Sequence, residues 1–139
     1  MDNITKQNKG LPWKVGMIFV FYFIPVIILI FLFVLVSRFS GLNINLMDHL
    51  IISRLVGLVI TVISLYYGVN YIYKKSVIVP SDITKIIVWF IVVNLILNRG
   101  DFANFNTVSL SLLFVVLVIN SLAIYLFFKL CSKKAVPVV

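Results

Sequence analysis

Four long runs of apolar residues divide the chain, and short polar segments separate them. The runs cover about residues 13–37, 50–73, 83–98 and 107–128, and none of them contains a carboxylate. A helix needs roughly 20 apolar residues to cross a hydrocarbon core about 30 Å thick. The pattern therefore predicts an all-α fold, a four-transmembrane-helix bundle over residues 13–130, with polar tails at 1–12 and 131–139. The third run is the shortest, and a helix of this length, at about 1.5 Å per residue, barely crosses the hydrocarbon core.

Small and polar residues recur along the second run at intervals of three or four, which places them on one face of a helix. The stripe consists of Ser53, Gly57, Thr61, Ser64 and Gly68. Small side chains let another backbone approach closely, so the stripe predicts a helix-packing face. A contact within the subunit and a dimer seam both fit it, and we favour the first.

In the first run, Pro25 removes one backbone hydrogen bond and predicts a kink.

Lysines and arginines fall on opposite sides of the four runs. The lysines are Lys6, Lys9, Lys14, Lys74, Lys75, Lys85, Lys129, Lys133 and Lys134, and the arginines are Arg38, Arg54 and Arg99. The positive-inside rule then predicts that both termini are cytoplasmic. This segregation favours a full crossing by the third run, because an interfacial third helix would move the last lysines outside. We expect an integral protein of a bacterial cytoplasmic (inner) membrane, in contact with the lipid bilayer.

Composition argues against several classes of function. The chain of 139 residues is 63% hydrophobic, has a mean hydropathy of +1.18 and carries a net charge of +8. Its lysines flank apolar runs in small groups, which fits an anionic leaflet better than nucleic acid, so no nucleic-acid partner is expected. Coupled carriers bury a carboxylate at membrane depth, and this chain has none there. His49 and Cys131 lie on opposite predicted faces and cannot share a metal ion, so we predict no metal and no cofactor. No histidine lies on the same face as a plausible serine nucleophile and the sequence has no glycine-rich phosphate loop, so we also predict no enzymatic activity.

A second group of polar residues gathers on the predicted outer side of the membrane. It comprises Arg38, Asp48, His49, Arg54, Arg99 and Asp101. Arginine binds carboxylate or phosphate through two parallel hydrogen bonds, so this cluster fits a lipid phosphate, an anionic glycan carrier or a partner protein. The alternative, which we favour, is structural: Arg54 pairs with Asp48 or Asp101 and fixes the loops over the bundle.

Three asparagines lie within or beside the apolar runs: Asn70, Asn94 and Asn120. Counting from the helix ends, Asn94 is level with Ser111, and Asn120 is level with Ser64 or Tyr67. Interhelical hydrogen bonds of this kind contribute only about 0.6 to 2 kcal/mol each. We predict that Asn94 and Asn120 hold helices together, with a polar substrate path as the alternative.

Three segments resemble the YdgK-like proteins, a family of small bacterial four-span membrane proteins. Trp13 through Pro25 is similar to the family's opening segment, which leads to a proline in the first span. Tyr73-Lys74-Lys75 followed by Pro80 is similar to its aromatic, Lys-Lys and Pro loop, and Ile124-Tyr125 followed by Ser132-Lys133-Lys134 to its closing segment. The chain departs from that pattern in lacking Gly-Trp and the closing proline, and in having Tyr125 for tryptophan. The resemblance implies a four-span topology, and because the family has no assigned function it implies nothing about activity.

Two functions are compatible with the sequence. The first is a non-catalytic membrane protein acting through helix and outer-loop contacts with another membrane protein, as an accessory subunit or an immunity or exclusion factor. The second is a homo-oligomeric passive transporter or flippase for a lipid-linked or anionic substrate. The missing catalytic and coupling groups favour the first.

Overall fold

A computed structural model describes residues 8–41, 50–103 and 107–134 of the chain, with side chains except those of 50–53, 101–102 and 134. The described part is helical and contains no strand: α1 (Leu11–Ser40), α2 (Leu50–Lys75), α3 (Pro80–Leu97), α4 (Arg99–Ala103) and α5 (Thr107–Lys134). The spans within α1, α2, α3 and α5, of 30, 22, 18 and 27 residues, are long and apolar enough to cross a membrane. The predicted all-α bundle of four membrane-spanning helices is confirmed.

The helices extend beyond the apolar runs that predicted them. α1 begins at Leu11 and ends at Ser40, and α5 continues to Lys134. An apolar run ends at its first polar residue. The helix itself can continue further, because long polar side chains extend from it to the membrane interface. Pro80 occupies the first turn of α3, where its missing N–H has no helical partner to lose. The short α4 was not predicted.

The four long helices close a ring. α1 packs against α2 and α3, and α5 packs against the same two helices, so α1 lies diagonally opposite α5 and α2 diagonally opposite α3. Although α2 and α3 follow one another in sequence, their connection at residues 76–79 has to cross the end of the bundle. Its first residue, Ser76, is only 1% exposed and accepts a hydrogen bond of 3.1 Å from the backbone N–H of Lys9.

Basic residues mark the two ends of this bundle. The lysine-rich end holds Lys9, Lys14, Lys74, Lys75, Lys85, Lys129 and Lys133, and the arginine-rich end holds Arg38, Arg54 and Arg99. Between them lies a core of buried apolar side chains from all four helices: Ile18, Leu65, Val69, Ile72, Ile86, Phe90, Leu113, Leu117, Ile124 and Phe128.

α1 is packed unevenly along its length. Its buried residues, Lys14 and Ile18, lie in the half near the lysine-rich end. Beyond Pro25 large apolar side chains are exposed, including Phe31 at 63% and Phe39 at 87%. The half of α1 toward the arginine-rich end therefore presents an apolar surface that the described bundle does not cover.

Candidate functional site

The contact between α1 and α2 is built around Pro25. Proline has no N–H, so the carbonyl of Phe21, four residues earlier, loses its helical hydrogen bond. Ser64 on α2 supplies a replacement, because its hydroxyl donates to the Phe21 carbonyl at 2.6 Å. One turn away, a Cβ built on Gly68 would lie 2.8 Å from Cγ and 2.9 Å from Cβ of Phe21. Ser64 and Gly68 of α2 therefore both contact Phe21 of α1, in the helical turn that precedes Pro25. The helix of α1 continues unbroken across Pro25.

The predicted packing stripe of α2 is divided by the structure. Ser64 and Gly68 face α1, and Thr61 is buried and contacts Asn120 of α5. The side chain of Ser53 lies outside the described residues. At Gly57 the described residues make no close contact, because a Cβ there would have no described neighbour within 4 Å, so a packing role for Gly57 stays a prediction. The described contacts of the stripe are therefore with α1 at Ser64 and Gly68 and with α5 at Thr61.

A buried ion pair joins α1 to α3 at the lysine-rich end. Lys14 Nζ lies 2.6 Å from Asp82 Oδ2, and the two side chains are 3% and 16% exposed. The same carboxylate oxygen accepts a hydrogen bond of 3.4 Å from the Val79 backbone N–H, which caps the start of α3. The segregation of lysines and arginines places Lys14 on this side of the membrane, but nothing in the sequence indicates that it pairs with Asp82.

Further contacts tie the start of α1 to the same end of the bundle. Lys9 Nζ lies 4.2 Å from the centre of the Trp13 ring, close enough for a cation–π interaction. Trp13 in turn packs beside Tyr71 of α2, with ring centres 6.3 Å apart. Together with the Lys9–Ser76 hydrogen bond, these contacts fix α1 against both α2 and the α2–α3 connection.

The hydrogen bonds of the buried asparagines differ from those predicted from their depth along the helices. Asn120, 0% exposed, meets Thr61 rather than Ser64 or Tyr67: the Thr61 hydroxyl lies 3.4 Å from Asn120 Oδ1 and 2.9 Å from the Leu58 carbonyl. Asn120 Nδ2 has no hydrogen-bond partner among the described residues. Asn94, 2% exposed, donates to the Phe90 carbonyl of its own helix at 2.9 Å. Asn120 therefore contacts another helix, whereas the hydrogen bond from Asn94 to the Phe90 carbonyl lies within α3.

Asn70 has a partner that the sequence did not reveal. Its Nδ2 donates to the Tyr66 carbonyl at 2.8 Å, and its Oδ1 accepts from the Cys131 thiol at 3.2 Å. This contact joins α2 to α5 near the lysine-rich end and explains why Cys131 is buried.

The predicted outer cluster is only partly described. Arg38 and Arg99 are exposed, and Arg54 is half-buried at the start of the apolar part of α2. Asp48, His49 and the side chain of Asp101 lie outside the described residues, so the pairing of Arg54 with either aspartate stays a prediction. Among the side chains described, no group of three His, Cys, Asp or Glu could hold a metal ion.

Comparison with known proteins gives no further lead. No protein-family model matches the chain, and neither the curated proteins nor the solved structures contain a significant match to it.

Proposed function

We propose that the chain is a non-catalytic integral membrane protein that acts through helix and outer-loop contacts. Its partner would be another membrane protein, with the chain as an accessory subunit or as an immunity or exclusion factor. One observation carries the proposal: several polar side chains inside the bundle are bonded to a neighbouring helix. Examples are Ser64 to the Phe21 carbonyl, Lys14 to Asp82 and Asn70 to Cys131.

This use of polar groups argues against a solute path. A path through the bundle needs polar side chains that face a shared space along its length. Here these three contacts lie at separate levels of the bundle and join three different pairs of helices, α1 with α2, α1 with α3, and α2 with α5. The surface of α1 beyond Pro25, in contrast, carries exposed side chains such as Ile27 and Phe31 at 62% and 63%. We infer that a helix of the partner packs on this half of α1.

A homo-oligomeric passive transporter or flippase is the second candidate. The observation in its favour is Asn120 Nδ2, a donor at the centre of the bundle without a described partner. An unmet buried donor costs about 1–3 kcal/mol, so such groups often carry a role beyond packing. A substrate passing near Asn120 would meet that donor.

Photocrosslinking in native membranes separates the two candidates. A photoreactive residue at Phe31 should capture a different membrane protein, identified by mass spectrometry. The same residue at Val88 of α3, exposed at 52%, is the matched control and should capture lipid alone. Adducts between copies of the chain would favour the oligomeric transporter. Lipid adducts alone at both positions would contradict the contact proposal.

We further propose that the lysine-rich end faces the cytoplasm of a bacterium, as the positive-inside rule requires. Phosphatase fused after Ser40 or after Asn104 should be active, since both points then lie outside the cytoplasm. Fusions after Lys75 and Lys134 should be inactive. An active fusion at Lys134 would contradict the proposed topology. We also propose that the chain is related to the YdgK-like proteins, a relationship that implies the same four spans.

A further inference from the structure

One exposed face of α5 changes from apolar to aromatic to positively charged side chains toward the lysine-rich end. Its residues are spaced by four, three, four and four positions, and all are exposed: Val118, Leu122, Tyr125, Lys129 and Lys133. The first three are 64%, 54% and 45% exposed. Apolar side chains come first, then an aromatic ring with a hydroxyl, then two cations. At about 1.5 Å per residue the face is roughly 22 Å long, close to the depth of one leaflet with its headgroups.

The two cations on this face lack an acidic neighbour in the described structure. Asp82 is the one carboxylate among the described side chains, and it is bonded to Lys14. Lys129 and Lys133 are one helical turn apart, where like charges repel. Lys129 Nζ instead lies 5.8 Å from the centre of the Tyr125 ring, an interaction that leaves its charge uncompensated. An anion between the two ammonium groups would remove this repulsion.

The depth of Lys129 points to the source of that anion. Cys131, two residues further along α5, contacts Asn70, which precedes the paired lysines Lys74 and Lys75 at the end of α2. Lys129 therefore lies further into the bundle than Lys74 and Lys75. A lysine at this depth reaches the interface by extending its side chain, and there it meets phospholipid phosphates.

We propose that this face of α5 binds one anionic phospholipid of the leaflet at the lysine-rich end. Lys129 and Lys133 bind the phosphate and headgroup, Tyr125 lies at the level of the ester groups, and Leu122 and Val118 contact an acyl chain. The sequence of charge, aromatic ring and apolar surface matches a phospholipid from head to tail. An acidic segment of a protein would match the lysines but not the apolar half of the face.

Native mass spectrometry of the full chain in mild detergent tests this site, because detergent removes the surface potential of a bilayer. Binding of one phosphatidylglycerol should exceed binding of one phosphatidylcholine by about 25-fold, given about 1 kcal/mol, or about fivefold, for each of the two lysines. Lys129→Gln and Lys133→Gln should each reduce that preference about fivefold, and the double variant should abolish it. Both side chains are exposed, so the variants should fold as the wild type does.

The control is Lys74→Gln/Lys75→Gln, which removes the same charge from exposed positions at the same end. It should keep the preference to within about twofold, since neither lysine continues the α5 face. Equal loss in both double variants would overturn the site in favour of diffuse charge attraction. Unchanged preference in Lys129→Gln/Lys133→Gln would also overturn it. Displacement of the lipid by millimolar inorganic phosphate, or by an acidic peptide, would show that a free anion or a protein is the ligand instead.

Discussion

Replacing Gly68 with alanine should destabilise the bundle, although alanine is the better helix former. The added Cβ would lie 2.8–3.0 Å from three carbons of Phe21, one of them its Cβ, which cannot move without the α1 backbone. Over-packing of this kind costs about 1–3 kcal/mol, more than the ~1 kcal/mol that alanine gains over glycine in a helix. Gly68→Leu should be worse and should lower accumulation in membranes. Thermal unfolding of the purified protein in detergent measures the difference.

Gly57→Ala is the matched control for this prediction. It adds the same methyl group to the same helix, at a position where no described atom lies within 4 Å of the new Cβ. We expect stability equal to or slightly above that of wild type. In a double-mutant cycle, Gly68→Ala should cost less stability in a Phe21→Ala background than in wild type, because two of the three carbons that the new methyl meets are then absent. A Gly68→Ala variant as stable as Gly57→Ala would show that α1 does not approach α2 closely here.

This α1–α2 contact shows how far the sequence leads. Pro25 predicts a free carbonyl, and the spacing of Ser64 and Gly68 predicts a packing face, each from local rules of helix geometry. Neither rule says that the serine meets this carbonyl, because the register between two helices depends on the connection and on side chains from both. Gly57 illustrates the same point: it shares the face of Gly68, and the structure leaves it open.

The ring order of the helices could not be predicted either. Consecutive antiparallel helices joined by a short connection are expected to be neighbours. Here α2 and α3 lie diagonally opposite, and α3 packs against α1 and α5. The buried Lys14–Asp82 pair lies at the α1–α3 contact that this order creates. A topology rule counts Lys14 as one more interfacial cation, since it takes account of loop charge and not of contacts.

Removing the carboxylate of Asp82 should be more damaging than removing the cation of Lys14. Asp82→Asn keeps the size of the side chain and an oxygen that can accept from the Val79 N–H, so its main effect is to leave Lys14 unpaired. Lys14 is the more deeply buried partner, at 3% side-chain exposure against 16%. Breaking a buried pair costs about 3–5 kcal/mol when the remaining charge stays buried. We expect the lower part of this range, because Asp82 is partly exposed to water in the wild type, and water weakens the interaction that the variant loses.

Lys14→Met leaves the more exposed partner behind, and water can solvate the Asp82 carboxylate. Its cost should therefore be smaller than that of Asp82→Asn, although both remove the same interaction. The double variant Lys14→Met/Asp82→Asn should recover most of the loss, because neither charge is then left buried. Lys75→Gln, which replaces an exposed lysine at the same end of the bundle, controls for net charge and should change little. Thermal unfolding of these four variants in detergent measures the coupling, and equal costs for the two single variants with no recovery in the double would contradict a buried pair between α1 and α3.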